Sequence, residues 1–138
     1  MSVIESIIKH EGFRAKPYPD IIHGWKVPTF GHGLTYITSD ESRKLVENRV
    51  TRIMHKLDLR LSVYRKLPNA AQDVLIEMAY QMGVARLLKF KNTIKALEQQ
   101  NYRTAAAEML DSQWATQTPK RAQDLAKIIK GLAVKGVK

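Results

Sequence analysis

The sequence predicts an α+β fold: a small N-terminal lobe with a short β-hairpin, a long connecting helix, and a helical C-terminal lobe. Three observations predict it. Helical apolar spacing opens the chain, a stretch dense in proline and glycine interrupts it, and helical spacing then returns for the rest of the chain.

Residues 2–11 read as a first helix, with Val3, Ile4, Ile7 and Ile8 on one stripe. From Phe13 to Leu34, three prolines (17, 19 and 28) and three glycines (24, 31 and 33) punctuate short extended pieces, as in a hairpin with tight turns. Thr38 or Ser39 offers an N-cap ahead of Asp40 and Glu41. Leu45, Val50, Ile53, Met54, Leu57 and Leu61 then carry helical spacing to about Arg65. Further helices are expected at about 69–82, 90–100, 102–112 and 119–130, separated by "MGVA", "QQN" and "TP". One domain over 1–138 is therefore expected, with lobes at about 1–39 and 66–138 joined by a helix at about 40–65. The first helix is free to pack on the C-terminal lobe, and a cleft between the lobes is the default binding site. Past Gly131 helical support is expected to end, leaving Lys135 and Lys138 on a basic tail drawn to anionic wall or membrane surfaces.

Composition narrows the partners. The chain has 138 residues, no cysteine and a formal net charge of +10. Without cysteine there is neither a disulfide framework nor a thiolate metal site. No apolar run approaches the ~20 residues of a membrane span, and no secretory signal pattern opens the chain. Synthesis as a soluble cytoplasmic protein is expected. The charge points to a polyanionic partner: nucleic acid, an anionic membrane or an acidic wall polymer. Nucleic acid is the weakest of the three, because the basic residues are dispersed over several helices and no recognition motif is present.

Glu11 breaks the apolar pattern of the first helix. It stands where the stripe calls for another apolar side chain, so it is expected to be partly desolvated. It also lies in the last helical turn, at the negative end of the helix dipole. Both effects favour the protonated form, which suits a general acid. Asp20, in the turn-rich "KPYPDIIHG", is expected to be ionised. One carboxyl favouring protonation beside one favouring ionisation is what glycoside hydrolysis requires. Thr29 follows on an expected strand, and Gly31 and Gly33 flank His32 in a tight backbone. His10, His23 and His32 show no zinc-ligand spacing, so no metal and no cofactor is expected.

The order Glu11, "YPD" at 18–20 and "TFGHG" at 29–33 resembles the phage-type lysozymes of glycoside hydrolase family 24. "SDESRKLVENRV", "AYQMGVARLLKFKNT", "AAAEMLDSQW" and "QTPKRA" extend the resemblance, in order, over nearly the whole chain. The resemblance implies an endolysin that hydrolyses the β-1,4 link between N-acetylmuramic acid and N-acetylglucosamine in bacterial peptidoglycan. It implies Glu11 as general acid, Asp20 as the carboxylate assisting the attacking water, and Thr29 as the residue that positions that water. Thr35, Tyr80, Gln81, Thr93, Glu108 and Arg121 fall where the family lines its sugar cleft. A monomer acting in the periplasm after release through a holin-type pore is the implied setting, with a Gram-negative host suggested by the lack of a wall-binding module. Two departures stand out. Asp20 to Thr29 is three residues longer than the usual spacing, which implies an enlarged hairpin, and Leu34 occupies the family's histidine position while His32 fills a variable one. The alternatives are a lytic transglycosylase using Glu11 alone and a zinc-dependent wall amidase built on the histidines.

Overall fold

The computed structural model describes residues 2–20 and 24–134, the side chains of Asp20 and Val134 excepted. It contains two compact units, Met1–Val46 and Glu47–Lys138.

In the first unit, α1 (Val3–Glu11) starts from a reciprocal cap. The Ser2 hydroxyl accepts from the Glu5 N–H at 3.1 Å, and the Glu5 carboxylate accepts from the Ser2 N–H at 3.2 Å. The helix ends at Gly12, whose φ of 66° glycine adopts without steric cost. Two antiparallel strands follow, β1 (Arg14–Asp20) and β2 (Gly24–Gly31), in one two-stranded sheet. Arg14 pairs with Gly31, Tyr18 with Thr29, and Asp20 with Gly24. From Tyr18 to Asp20 the first strand advances two residues while the second advances five, from Gly24 to Thr29. The longer Asp20–Thr29 spacing is thus absorbed as an irregularity in β2, where Pro28 has no N–H to give a ladder.

The expected burial of the α1 stripe is not found. Val3, Ile4, Ile7 and Ile8 are exposed and the helix has no buried residue. The hairpin does not cover it: the Trp25 ring of β2 is itself exposed, and Arg14, Lys16, Pro17 and Pro19 leave β1 with little apolar surface to pack.

The division between units falls within α2 (Ser39–Arg60). Thr38 caps this helix: its hydroxyl accepts from the Glu41 N–H at 3.2 Å and its own N–H donates to Glu41 Oε1 at 2.9 Å. The helix expected to reach about Arg65 stops at Arg60, and a 3₁₀ turn follows at Tyr64–Lys66. Leu61, Tyr64 and Leu67 are all buried. Their spacing of three matches the 3₁₀ repeat, so the tighter turn keeps all three on one face.

The core belongs to the second unit. It is built by Leu57 of α2, the Leu61–Leu67 turn, α3 (Asn69–Met82), α4 (Val84–Leu87), α5 (Lys91–Glu98), α6 (Tyr102–Leu110), α7 (Gln113–Gln117) and α8 (Pro119–Val134). Leu75, Met78, Leu97, Met109 and Ile129 are among its fully enclosed side chains. Ala105 and Ala106 of α6 and Ala122 and Ala126 of α8 are buried too, their small side chains permitting close helix approach. The expected end of helical support at Gly131 is corrected: α8 runs through it to Val134. Ile129 and Leu132 are both buried, and their packing carries the helix past the glycine. Lys135 and Lys138 lie outside the described residues. Among the described residues no helix is long and apolar enough to cross a membrane.

Candidate active site

The predicted site residues fall in both units, and each half is described by itself. In the first, Glu11 is the final residue of α1. It is exposed, and the first unit by itself supplies no burial that would desolvate it. Its carboxyl nevertheless has a defined neighbour. A Cβ added to Gly33 would lie 2.3 Å from Glu11 Oε2, so the carboxylate rests against the bare α-carbon of that glycine.

Thr29 sits on β2 and is 5% exposed. Its hydroxyl donates to the Val27 carbonyl at 3.2 Å, which commits the proton and leaves the oxygen lone pairs to accept. Thr29 faces Tyr18 across the strands, and Asp20 ends β1 two residues further on. The Asp20 side chain lies outside what the structure describes, as does all of His23. Thr35 is exposed after the turn that closes β2. His10 bonds within its own helix, Nδ1 lying 2.8 Å from the Ser6 carbonyl, and the His32 ring lies 5.3 Å from that of Phe13.

In the second unit, Thr93 and Glu108 line one open depression between α5 and α6, together with Phe90, Asp111 and Ser112. An adjoining depression shares Phe90 and Ser112 and is lined also by Gln81, Trp114 and Gln117. The Phe90 and Trp114 rings meet edge to face at 6.1 Å, at the junction of the two. Gln81 is held by its own partners: its Oε1 accepts from Trp114 Nε1 at 2.8 Å, and its Nε2 lies 3.5 Å from Thr118 Oγ1. Arg121 donates from Nε to Glu77 Oε2 at 2.8 Å, linking α8 to α3. Tyr80 is exposed near the end of α3 and lines neither depression. The structure thus brings Thr93 to Glu108, and it adds Trp114 and Glu77, which sequence reasoning missed. The one signal for Trp114 was an aromatic residue in the polar run "DSQWATQTP".

A family model described as phage lysozyme matches residues 8–133. The chain is 33% identical over 109 residues to a probable T4-type lysozyme 1 of Dictyostelium discoideum, covering 77% of this chain and 64% of that protein. A probable T4-type lysozyme 2 of the same organism is 33% identical over 89 residues, covering 62% of this chain and 52% of the relative. A peptidoglycan hydrolase, gp36, of Pseudomonas phage phiKMV is 29% identical over 132 residues, which are 89% of this chain and 14% of the phage protein. The chain therefore spans less than two thirds of the length of each of these relatives.

Proposed function

The chain belongs to the phage lysozyme family, and on that premise we propose that it is a peptidoglycan-lysing glycosidase, an N-acetylmuramidase that cuts the β-1,4 link between N-acetylmuramic acid and N-acetylglucosamine. The observation that carries the reading is the Glu11 carboxyl, presented to solvent at the end of α1 and lying beside Gly33, in a chain matched to the family over residues 8–133. A general acid needs both properties: access to the substrate and a defined position.

In this reading Glu11 gives its proton to the glycosidic oxygen as the bond from the anomeric carbon to that oxygen breaks. A water attacks the same carbon from the opposite face, and the Asp20 carboxylate takes the proton that the water loses. Thr29 accepts a hydrogen bond from that water, its own proton being committed to Val27. Attack from the opposite face inverts the anomeric configuration. In the second unit, Glu108 and the half-buried Phe90 ring offer a hydrogen bond and apolar contact to sugar, with the buried Thr93 and Trp114 side chains shaping the depressions they line. The setting we propose is that of an endolysin: a monomer that reaches the periplasmic wall through a holin-type pore and lyses the host.

The test is mass spectrometry of purified peptidoglycan digested with wild type and with Glu11→Gln. Wild type should release fragments with reducing N-acetylmuramic acid ends, and folded Glu11→Gln should release none. Anhydro-sugar ends would establish a transglycosylase instead. Full activity in Glu11→Gln would remove the assignment altogether.

A further inference from the structure

Three features converge on the end of α1. The chain leaves that helix at Gly12 and reaches Phe13 two residues after Glu11. On the other side, Phe30 and Leu34 exchange two backbone hydrogen bonds of 2.8 Å each, closing residues 31–33 into a tight turn. Gly33 in that turn has φ +75°, and a Cβ there would stand 2.3 Å from Glu11 Oε2 and 2.7 Å from its Cδ. Finally, the ring of His32 lies 5.3 Å from that of Phe13, tilted by 52°. The residue before Gly33 is thereby clipped to a residue just after Glu11.

We propose that Gly33 and the Phe13–His32 ring pair are positioning residues for the general acid, a role that rests on the assignment of Glu11 above. Gly33 sets where the carboxyl sits, because only a residue without a side chain leaves that space. The ring pair holds the end of α1 against the turn, so the carboxyl and its seat move together. None of the three transfers a proton. Their effect follows from the short reach of proton transfer: the acid must lie within about 2.6–3.2 Å of the leaving oxygen. A methyl group at position 33 would push the carboxyl by roughly 1 Å, and a misplacement of that size costs about 100-fold in rate.

The experiment compares wild type, Glu11→Gln, Gly33→Ala, Phe13→Ala, His32→Ala and His32→Phe on a soluble peptidoglycan oligosaccharide, with kcat and KM measured separately and folding followed by circular dichroism. Gly33→Ala should lose about 100-fold in kcat with KM within about twofold of wild type. Phe13→Ala and His32→Ala should each lose about tenfold in kcat, while His32→Phe, which keeps a ring against Phe13, should recover most of that loss. Phe13 is exposed, so its truncation leaves the fold intact and tests the ring pair even if Gly33→Ala fails to fold. For the seat itself, Gly33→Ala should lower the melting temperature less in a Glu11→Ala background than in wild type, because the clash with the carboxyl is gone while the strain of a side chain at φ +75° remains in both.

Near-normal kcat in Gly33→Ala and both ring variants, with Glu11→Gln inactive, would overturn the proposal while leaving the proposed function standing. A rise in KM at unchanged kcat would also overturn it, placing these residues on the substrate. Failure of His32→Phe to recover what His32→Ala loses would remove the ring contact as the cause and leave an imidazole nitrogen as the acting group. Activity in Glu11→Gln is the separate outcome that removes the function reading.

Discussion

Gln81 supports a prediction that separates a structural role from a sugar-binding one. Its carbonyl oxygen accepts from Trp114 Nε1 at 2.8 Å, and Trp114 is only 7% exposed. Gln81→Leu keeps the approximate shape and removes the acceptor. The indole N–H then has no protein partner in a buried setting, at a cost of about 1–3 kcal/mol. For a cooperative unit of roughly 60–100 residues, each kcal/mol lowers Tm by about 4–8 °C. A thermal melt followed by circular dichroism should therefore show a drop of at least several degrees. Trp114→Phe removes the donor instead and leaves the partly exposed amide free to find water. In that background Gln81→Leu should cost far less, giving a coupling of about 1–2 kcal/mol in the double-mutant cycle. An unchanged Tm for Gln81→Leu, with weakened binding of peptidoglycan fragments, would refute the argument and make Gln81 a direct sugar ligand.

Two further predictions concern the second unit. The hydrogen bonds from Arg65 Nε and Nη2 to the Asp58 carboxylate hold that carboxyl below its usual range. A depressed folded value contributes stability above the unfolded carboxylate range, and that stability is lost as pH falls through the depressed value. Arg65→Gln should accordingly lower the urea midpoint at neutral pH, with the difference from wild type shrinking as acid protonates the carboxylate; a difference that stays constant down the acid range would show the effect is not ionic. Gly131 lies inside α8 with nothing within 4 Å of where a Cβ would stand, so Gly131→Ala should stabilise by about 0.4–1 kcal/mol. Leu132→Ala, one position on, removes a buried side chain and should cost about 2–5 kcal/mol by the same denaturant assay. Equal, small effects at both positions would show that the helix frays before Gly131.

The helices that could be read from the sequence are those long enough to repeat their apolar stripe. The segment at 69–82 is found as Asn69–Met82 because Val74, Leu75, Met78 and Ala79 fall on one buried face. Helices α4 and α7, of four and five residues, span too few turns to show a period, and their sequences look like connections. Gly131 misled for the opposite reason: its intrinsic cost in a helix is local, whereas the burial of Ile129 and Leu132 that outweighs it is tertiary. The same limit governs the site. Glu11, Thr29 and Gly33 could be singled out because they sit in short motifs with unusual residue types. The partners of Gln81 and Arg121 are 33 and 44 residues away, and no local pattern announces a pairing at that separation.

The two units also differ in what holds them, and this bears on where mutations should act. Among the described residues of the first unit only Thr29 is buried, while the apolar core begins at Leu57. What orders the first unit internally is a set of local devices: the Ser2–Glu5 cap, the hairpin ladder, the Phe13–His32 rings, and Arg14 over the Tyr18 ring at 4.8 Å. Each is worth on the order of 1 kcal/mol, so this short set falls far below the backbone entropy lost on ordering the unit, roughly 1–2 kcal/mol for every one of its residues. Global stability is therefore set by the helical core, and the segment that presents Glu11 has little surplus order of its own. Segments drawn on for substrate contact come from the low-stability end of a structure. Core substitutions in the second unit should register first in Tm. Substitutions around Glu11 should register first in rate, because a small shift of the carboxyl changes the chemistry long before it changes the fold.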